Sequence, residues 1–263
     1  MIGAVTFDLW NTLLLETREA GAKVREDRIR NVFLTLQGLG HDGTLEELRS
    51  ADDEVGRRLE AEWRSNRDLG VEEQVRILLG SLEIEDGFGQ MAMADLEWAY
   101  VSAILKTPPT LTRGAKELLA TLKARGYHLG VISNTGRVPG AMLRLILQRH
   151  EVLEYFDVLT FSDTLGLRKP VADLFTHTLE RLGTEPRAAL HIGDDPAADV
   201  QGARSIGMGA VLFGSGQGQV PDDVPVIARL EDLLPLLDER ETARASHRRA
   251  GGAGVSPEGS DEE

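Results

Sequence analysis

Apolar positions along the chain follow two rhythms. Ile2 to Phe7 is a short, mostly apolar run containing Val5 and Phe7, and it reads as a buried strand ending at Asp8. From about Glu16 to Leu105 the spacing becomes helical, with Ile29, Val32, Phe33 and Leu36 in one stretch and Val75, Leu78, Leu79 and Leu82 in another. Pro108 and Pro109 then mark a change of direction, because a helix cannot run through them. Beyond them the spacing predicts a helix carrying Ala115, Leu118, Leu119 and Leu122, then a strand from His128 to Ser133. A weaker strand from Phe156 to Phe161 follows, then a helix with Leu174, Phe175, Leu179 and Leu182. The last elements expected are a strand from Ala188 to Ile192, a helix from Asp199 to Ile206 and a strand from Ala210 to Phe213. Strands alternating with helices predict a parallel sheet covered on both faces, a three-layer α/β core interrupted by an all-helical insertion. The boundaries place the core at 1–15 and 108–241, the insertion at 16–107 and a tail at 242–263. The tail has few apolar residues and several Gly and Ser, so it is expected to be disordered.

Charge narrows the partners. The 263-residue chain carries a formal net charge of -14, and its field should repel nucleic acid and anionic membranes. A small anionic substrate stays compatible with that field, because a metal ion and one lysine can reverse the sign inside a cleft. There is no cysteine, which removes disulfides, thiolate catalysis and cysteine-based zinc sites. The first ten residues lack a basic leader, and no segment approaches the about 18 uninterrupted apolar residues of a membrane span, so the expectation is a cytoplasmic protein. The six histidines, at 41, 128, 150, 177, 191 and 247, are scattered, and none is given a role. Trp63 and Trp98 are read as packing residues. The glycine-rich stretch at Gly214 to Gln219 is read as a loop after a strand, since no P-loop lysine follows it.

Ligands in a parallel α/β sheet bind beyond the carboxyl ends of the strands, and four such places are chemically loaded. The first strand runs into Asp8-Leu9-Trp10-Asn11-Thr12 and the second into Ser133-Asn134. A loop carries Arg168-Lys169-Pro170, and a later strand ends in Gly193-Asp194-Asp195-Pro196-Ala197-Ala198-Asp199. An aspartate, a hydroxyl, a lysine and an acidic pair, in that order, resemble the four motifs of the haloacid dehalogenase-like superfamily. The resemblance covers roughly 1–16 and 108–213, and the helical block between its first two motifs resembles the C1-type cap of that superfamily. It implies a Rossmann-like core under a helical cap and hydrolysis of a small phosphorylated metabolite with Mg²⁺ as cofactor.

An ionised carboxylate at Asp8 is suited to attack phosphorus or an activated carbon without an activating base. Asp8 and Asp194 could together hold Mg²⁺, a hard ion that takes carboxylates and water, and the resemblance adds the Trp10 main-chain carbonyl. Asp199 belongs to the same acidic set and is expected to support the metal's waters or Lys169 more than to ligate directly. Lys169 would restrain the carboxylates and share phosphoryl charge, while the Ser133 hydroxyl would bind phosphoryl oxygens. Asn134, Trp10 and Thr12 are the further substrate-binding candidates. Each has a plainer alternative: Lys169 as a solvated loop residue, Ser133 as a helix cap, and Asp195 and Asp199 as charges at a helix N-terminus. Phosphatases of the superfamily usually carry a second aspartate two residues after the nucleophile, and this chain has Trp10 there. An indole cannot exchange a proton near neutral pH. Three readings follow: a phosphatase favouring good leaving groups, a haloacid dehalogenase, whose halide leaves without a proton, or a phosphate-binding regulatory protein. The superfamily's dehalogenases need no metal and build their fourth motif from Ser and Asn, so the acidic fourth motif favours phosphate. Substrate identity and oligomeric state are not legible.

Overall fold

The computed structural model describes residues 2–84, 88–214, 219–239 and 242. Apart from Thr242, the expected tail lies outside these, as do residues 215–218 of the glycine-rich stretch. Among the described residues, no helix is long and apolar enough to cross a membrane.

The chain opens with β1 (Ala4–Phe7) and a two-residue β2 (Leu14–Leu15). Four helices follow: α1 (Arg18–Gly38), α2 (Leu45–Arg64), α3 (Val71–Ser81) and α4 (Gln90–Val101). Thr17 caps α1 by accepting from the Ala20 N–H, and Thr44 and Glu47 form a reciprocal capping box on α2. The chain returns through β3 (Thr110–Leu111), which pairs antiparallel with β2, so that Leu14 faces Leu111 and Leu15 faces Thr110. This two-strand clasp closes the ends of the helical segment, on the core side of the boundaries expected near Glu16 and Pro108.

The rest alternates: α5 (Ala115–Ala124), β4 (His128–Ser133), α6 (Gly140–Arg149), β5 (Val158–Phe161), α7 (Ser162–Leu165), α8 (Ala172–Leu182) and β6 (Ala189–Gly193). A π-helical turn at Pro196–Gln201 runs into α9 (Gly202–Ser205), followed by β7 (Gly209–Phe213) and β8 (Val226–Ile227). The six long-sheet strands are all parallel, in the order β5-β4-β1-β6-β7-β8. Alternate residues of β1 show why two cores form: Val5 and Phe7 join one apolar cluster with α5, α6 and the four inserted helices, while Ala4 joins another with α8 and α9. The three-layer α/β expectation is met.

Several elements differ from the expectation. β2, β3 and β8 are two residues each, too short to show a period of two. Helix α6 is absent from the sequence reading although Met142, Leu143, Ile146 and Leu147 bury one face of it. The helix expected from Asp199 starts three residues earlier, as the π-helical turn capped by Asp195. Trp98 is 55% exposed and does not pack, because Leu96, Ala99 and Tyr100 take the inward face of α4.

Gly140, the first residue of α6, is packed so closely on the buried Phe161 ring that an added Cβ would overlap it. Gly140→Ala should therefore destabilise the protein by about 1–3 kcal/mol in denaturant melts, the usual cost of overpacking. Gly38→Ala, with open space around it at the end of α1, should be neutral or stabilising. Equal effects of the two would contradict this packing.

Candidate active site

β1 lies at the centre of the sheet with β4 and β6 as its neighbours, so the residues that leave these three strands converge beyond one edge. Asp8 leaves β1 with its main-chain N–H still bonded to the Ile192 carbonyl of β6 at 2.8 Å. The turn after it is tight: the Leu13 and Leu14 N–H groups both return to the Leu9 carbonyl, and Asn11 takes a positive φ of 57°. Such a turn carries Trp10 outward and Asn11 toward Asp194, which accepts a hydrogen bond from its side chain.

Lys169 stands at the centre. Its ammonium is 2% exposed and donates to Asp8 Oδ1 at 2.6 Å, to Asp199 Oδ1 at 2.6 Å and to the Ile132 carbonyl at 2.7 Å. All three N–H donors are thereby used. Burial works against the charge, yet Asp199 and Asp8 outweigh it and raise the lysine pKa above its usual value. The solvated-loop alternative for Lys169 is thus excluded by its burial. Asn134 holds the same loop from the side, accepting from the Lys169 N–H at 2.8 Å and donating to its carbonyl at 3.3 Å.

Asp199 is saturated by protein donors. Its Oδ1 accepts from Lys169 and from His191 Nε2 at 3.1 Å, and its Oδ2 accepts from the Asp195 N–H at 3.0 Å. Burial would raise its pKa, but Lys169 and His191 overcome this and hold it below the ordinary range. A carboxylate only accepts, so Nε2 of His191 carries the proton and Nδ1 accepts from the Thr6 hydroxyl at 2.9 Å. Burial lowers the His191 pKa, consistent with a neutral ring. His191, given no role from the sequence, is therefore the residue that steadies Asp199 from behind. Asp195 accepts from the Ala197 and Ala198 N–H groups, the helix-cap reading.

Carboxylate oxygens of Asp8, Asp194 and Asp199 all lie within 4.8 Å of one another. The set is all oxygen, which suits a hard divalent cation. Asp194 is raised by burial and by the Asp199 charge. Asp8 departs from expectation: burial, reinforced by Asp199 and Asp194, outweighs Lys169 and lifts its pKa to about 7. A further cation beside the carboxylate would favour its charged form.

Ser133 ends β4 fully buried, and its hydroxyl has no hydrogen-bond partner among the described residues. An orphaned buried hydroxyl beside a lysine and an aspartate fits a group that receives a ligand oxygen. Thr12 is fully buried in the turn after Asp8, and its hydroxyl, like that of Ser133, has no hydrogen-bond partner among the described residues. A cavity of about 470 Å³ opens between α1, α2 and the loop after β4, with Trp10 and Asn134 in its wall.

The sequence reading also missed Asp68, on the loop between α2 and α3. It is buried and accepts from Trp63 Nε1, Thr135 Oγ1, Ser162 Oγ and Arg168 Nη1. Arg168 in turn lies 4.3 Å above the Trp63 ring. One carboxylate thus ties the inserted helices to the loops that present Ser133 and Lys169. An aspartate alone in a polar loop carries no signal of this in sequence.

A family model described as haloacid dehalogenase-like hydrolase matches residues 2–207. The chain is 29% identical over 220 residues to the ribulose-1,5-bisphosphate 5-phosphatase of Halopiger xanaduensis, covering 81% of this chain and 85% of that one. It is 36% identical over 131 residues to the human haloacid dehalogenase-like hydrolase domain-containing protein 3, covering 48% of this chain, so the match spans about half the length of that relative, 51%. Among solved structures, a 2-haloacid dehalogenase from Pseudomonas syringae superposes with a TM-score of 0.68 at 24% identity, covering 91% of this chain and 99% of that one, a likeness of fold.

The raised Asp8 pKa means that the folded protein keeps a proton the unfolded chain releases near its ordinary 3.8. The stability this group contributes is complete below that value and is lost as pH rises through about 7. In metal-free protein, Asp8→Asn should therefore gain in melting temperature over the parent between pH 5 and pH 8. Added Mg²⁺ should narrow the gap by raising the parent. A gap equal at both pH values would contradict the burial argument.

Proposed function

The chain belongs to the haloacid dehalogenase-like hydrolases, and from that premise we propose that it is a magnesium-dependent phosphatase acting on a small phosphorylated metabolite through Asp8. The observation that carries this reading is the set of three carboxylates gathered around a buried, charged Lys169. The phosphatase name of a relative matched over most of its length is consistent with it.

Asp8 attacks the phosphorus with its free carboxylate oxygen, the bond to the leaving oxygen breaks, and an aspartyl phosphate forms that water then hydrolyses. Lys169 fixes the other oxygen of Asp8 and offsets charge on the phosphoryl group. The Ser133 hydroxyl, without a protein partner, donates to a phosphoryl oxygen. Mg²⁺ would be held by Asp8, Asp194 and the Trp10 main-chain carbonyl, and would neutralise the repulsion between carboxylate and phosphate. Asp199 acts through Lys169 and the Asp195 N–H, its oxygens being taken up by protein donors. Residues 16–107 form the C1-type cap over this site and shape the pocket for the rest of the substrate. The small-molecule substrate enters there, and the compartment we assign is the cytoplasm.

Trp10 replaces the usual acid, so a leaving oxygen must depart without proton help worth typically about 10²–10⁴-fold. Acyl and aryl phosphates, whose oxygens leave as weak bases, are the favoured substrates. The same Trp10 favours one other reading, a dehalogenase, since halide needs no proton.

Phosphate release from acetyl phosphate and p-nitrophenyl phosphate is expected with Mg²⁺ and not with EDTA, falling steeply as the leaving-group pKa rises. A flat dependence of the chemical step would show that another acid stands in for the aspartate. Metal-independent halide release from L-2-chloropropionate, with no phosphate release, would replace this reading by the dehalogenase one.

A further inference from the structure

The cavity beside Trp10 and Asn134 gathers arginines although the chain as a whole is acidic. Its wall includes four arginines and two acids, Glu16 and Asp52. Asp52, on α2, is fully buried and accepts from three guanidinium groups at once: Arg25 Nε at 2.9 Å, Arg28 Nη1 at 3.4 Å and Arg137 Nη1 at 2.7 Å. Arg25 is further satisfied by Asp53 outside the cavity, and Arg168 by Asp68. Counted with Asp53, Asp68 and Glu16, the four arginines are matched in charge, but their hydrogen bonds are unevenly shared, because Arg25, Arg28 and Arg137 all converge on Asp52.

The unused donors fall on Arg28. Arg137 makes two short bonds to Asp52, the second from Nη2 to its carbonyl at 2.7 Å, and a third to the Tyr100 hydroxyl. Arg28 makes a single long one, and its Nε and Nη2 have no hydrogen-bond partner among the described residues. Its side chain is only 7% exposed and its guanidinium lies 5.1 Å from the centre of the Tyr100 ring. Glu16 feels the Arg28 charge, yet it is exposed and makes no hydrogen bond among the described residues. A guanidinium so desolvated, with a free planar fork of donors, is matched by a bidentate oxyanion.

We infer that this cavity receives the non-reacting end of the substrate and that this end is itself an oxyanion, a carboxylate or a second phosphate, gripped by Arg28. The inference rests on the phosphatase reading for the reacting end. The substrate is then a phosphate ester or acyl phosphate with two anionic ends. Glu16 at the mouth yields its place beside Arg28 when the ligand enters.

Binding is to be measured by calorimetry on the full chain with Mg²⁺, using pairs that differ only at the far end. 2-Phosphoglycolate is set against 2-hydroxyethyl phosphate, and propane-1,3-diol bisphosphate against 3-hydroxypropyl phosphate. The doubly anionic member should bind about tenfold or more tightly in at least one pair, the pair showing which oxyanion is read. Arg28→Gln should bring that ratio to within about threefold, the size of one lost charge-assisted contact. Asp52 keeps two guanidinium partners in this variant, so its buried charge is not orphaned. Should Arg28→Gln not fold, Arg28→Lys, which keeps the charge and loses the fork, should still lower the ratio. Equal binding of both members of both pairs, or a ratio untouched by these substitutions, overturns the inference. Acetyl phosphate turnover is followed in parallel: its absence beside an Arg28-dependent ratio would overturn the phosphatase reading and leave the anion site standing.

Discussion

An ammonium group removed from water must find three acceptors or lose its charge, and the site is arranged around how Lys169 meets that demand. One acceptor comes from each of three strands: Asp8 after β1, the Ile132 carbonyl near the end of β4, and Asp199 in the turn that follows β6. Only a sheet with β1 between β4 and β6 brings those three ends together. The requirement extends outward. Asp199 can serve Lys169 because His191 and the Asp195 N–H occupy its remaining capacity, and Gly193 lacks a Cβ that would overlap the Asp199 carboxylate. The arrangement leaves Asp8 and Asp194 as the carboxylates with capacity to spare, which is the condition for a metal and a phosphoryl group to enter.

The same electrostatic logic recurs in the inserted helices. Asp68 gathers Trp63, Thr135, Ser162 and Arg168, and Asp52 gathers Arg25, Arg28 and Arg137. Each buried carboxylate joins the helical segment to a loop at the carboxyl end of the sheet, Asp68 near Lys169 and Asp52 through Arg137. Breaking such a pair from one side strands a charge in a dry interior, so these contacts hold the helices over the site more firmly than surface ion pairs could. The chain's net charge of -14 says nothing of this, because the buried ion pairs depend on which arginines meet which carboxylates at one cavity.

What was legible in the sequence follows from range. Asp8, Ser133 and Asp194 sit directly after apolar runs, so the strand pattern placed them at one edge of a sheet, and the resemblance added Lys169 in its loop. The parallel sheet and the helical insertion were legible for the same reason: period and proline punctuation are local. The clasp of β2 and β3 was not, because two residues have no period. Helix α6 carried a readable signal in Met142, Leu143, Ile146 and Leu147, obscured by Gly140 at its start. Arg28, Asp52, Asp68 and His191 were illegible in principle, since their roles come largely from partners distant in the chain, up to 185 residues away for His191 and Thr6. Nor can a sequence show the burial that raises the Asp8 pKa to about 7.

The central claim is that Asp8 becomes covalently phosphorylated in each turnover. Acid quench of the protein during acetyl phosphate turnover with Mg²⁺, followed by mass spectrometry of its peptides, tests this most directly. The account predicts a phosphoryl group on the peptide bearing Asp8, labile to mild base and absent from Asp8→Asn. Sustained turnover with no such adduct, in an Asp8→Asn protein that remains active, would contradict it.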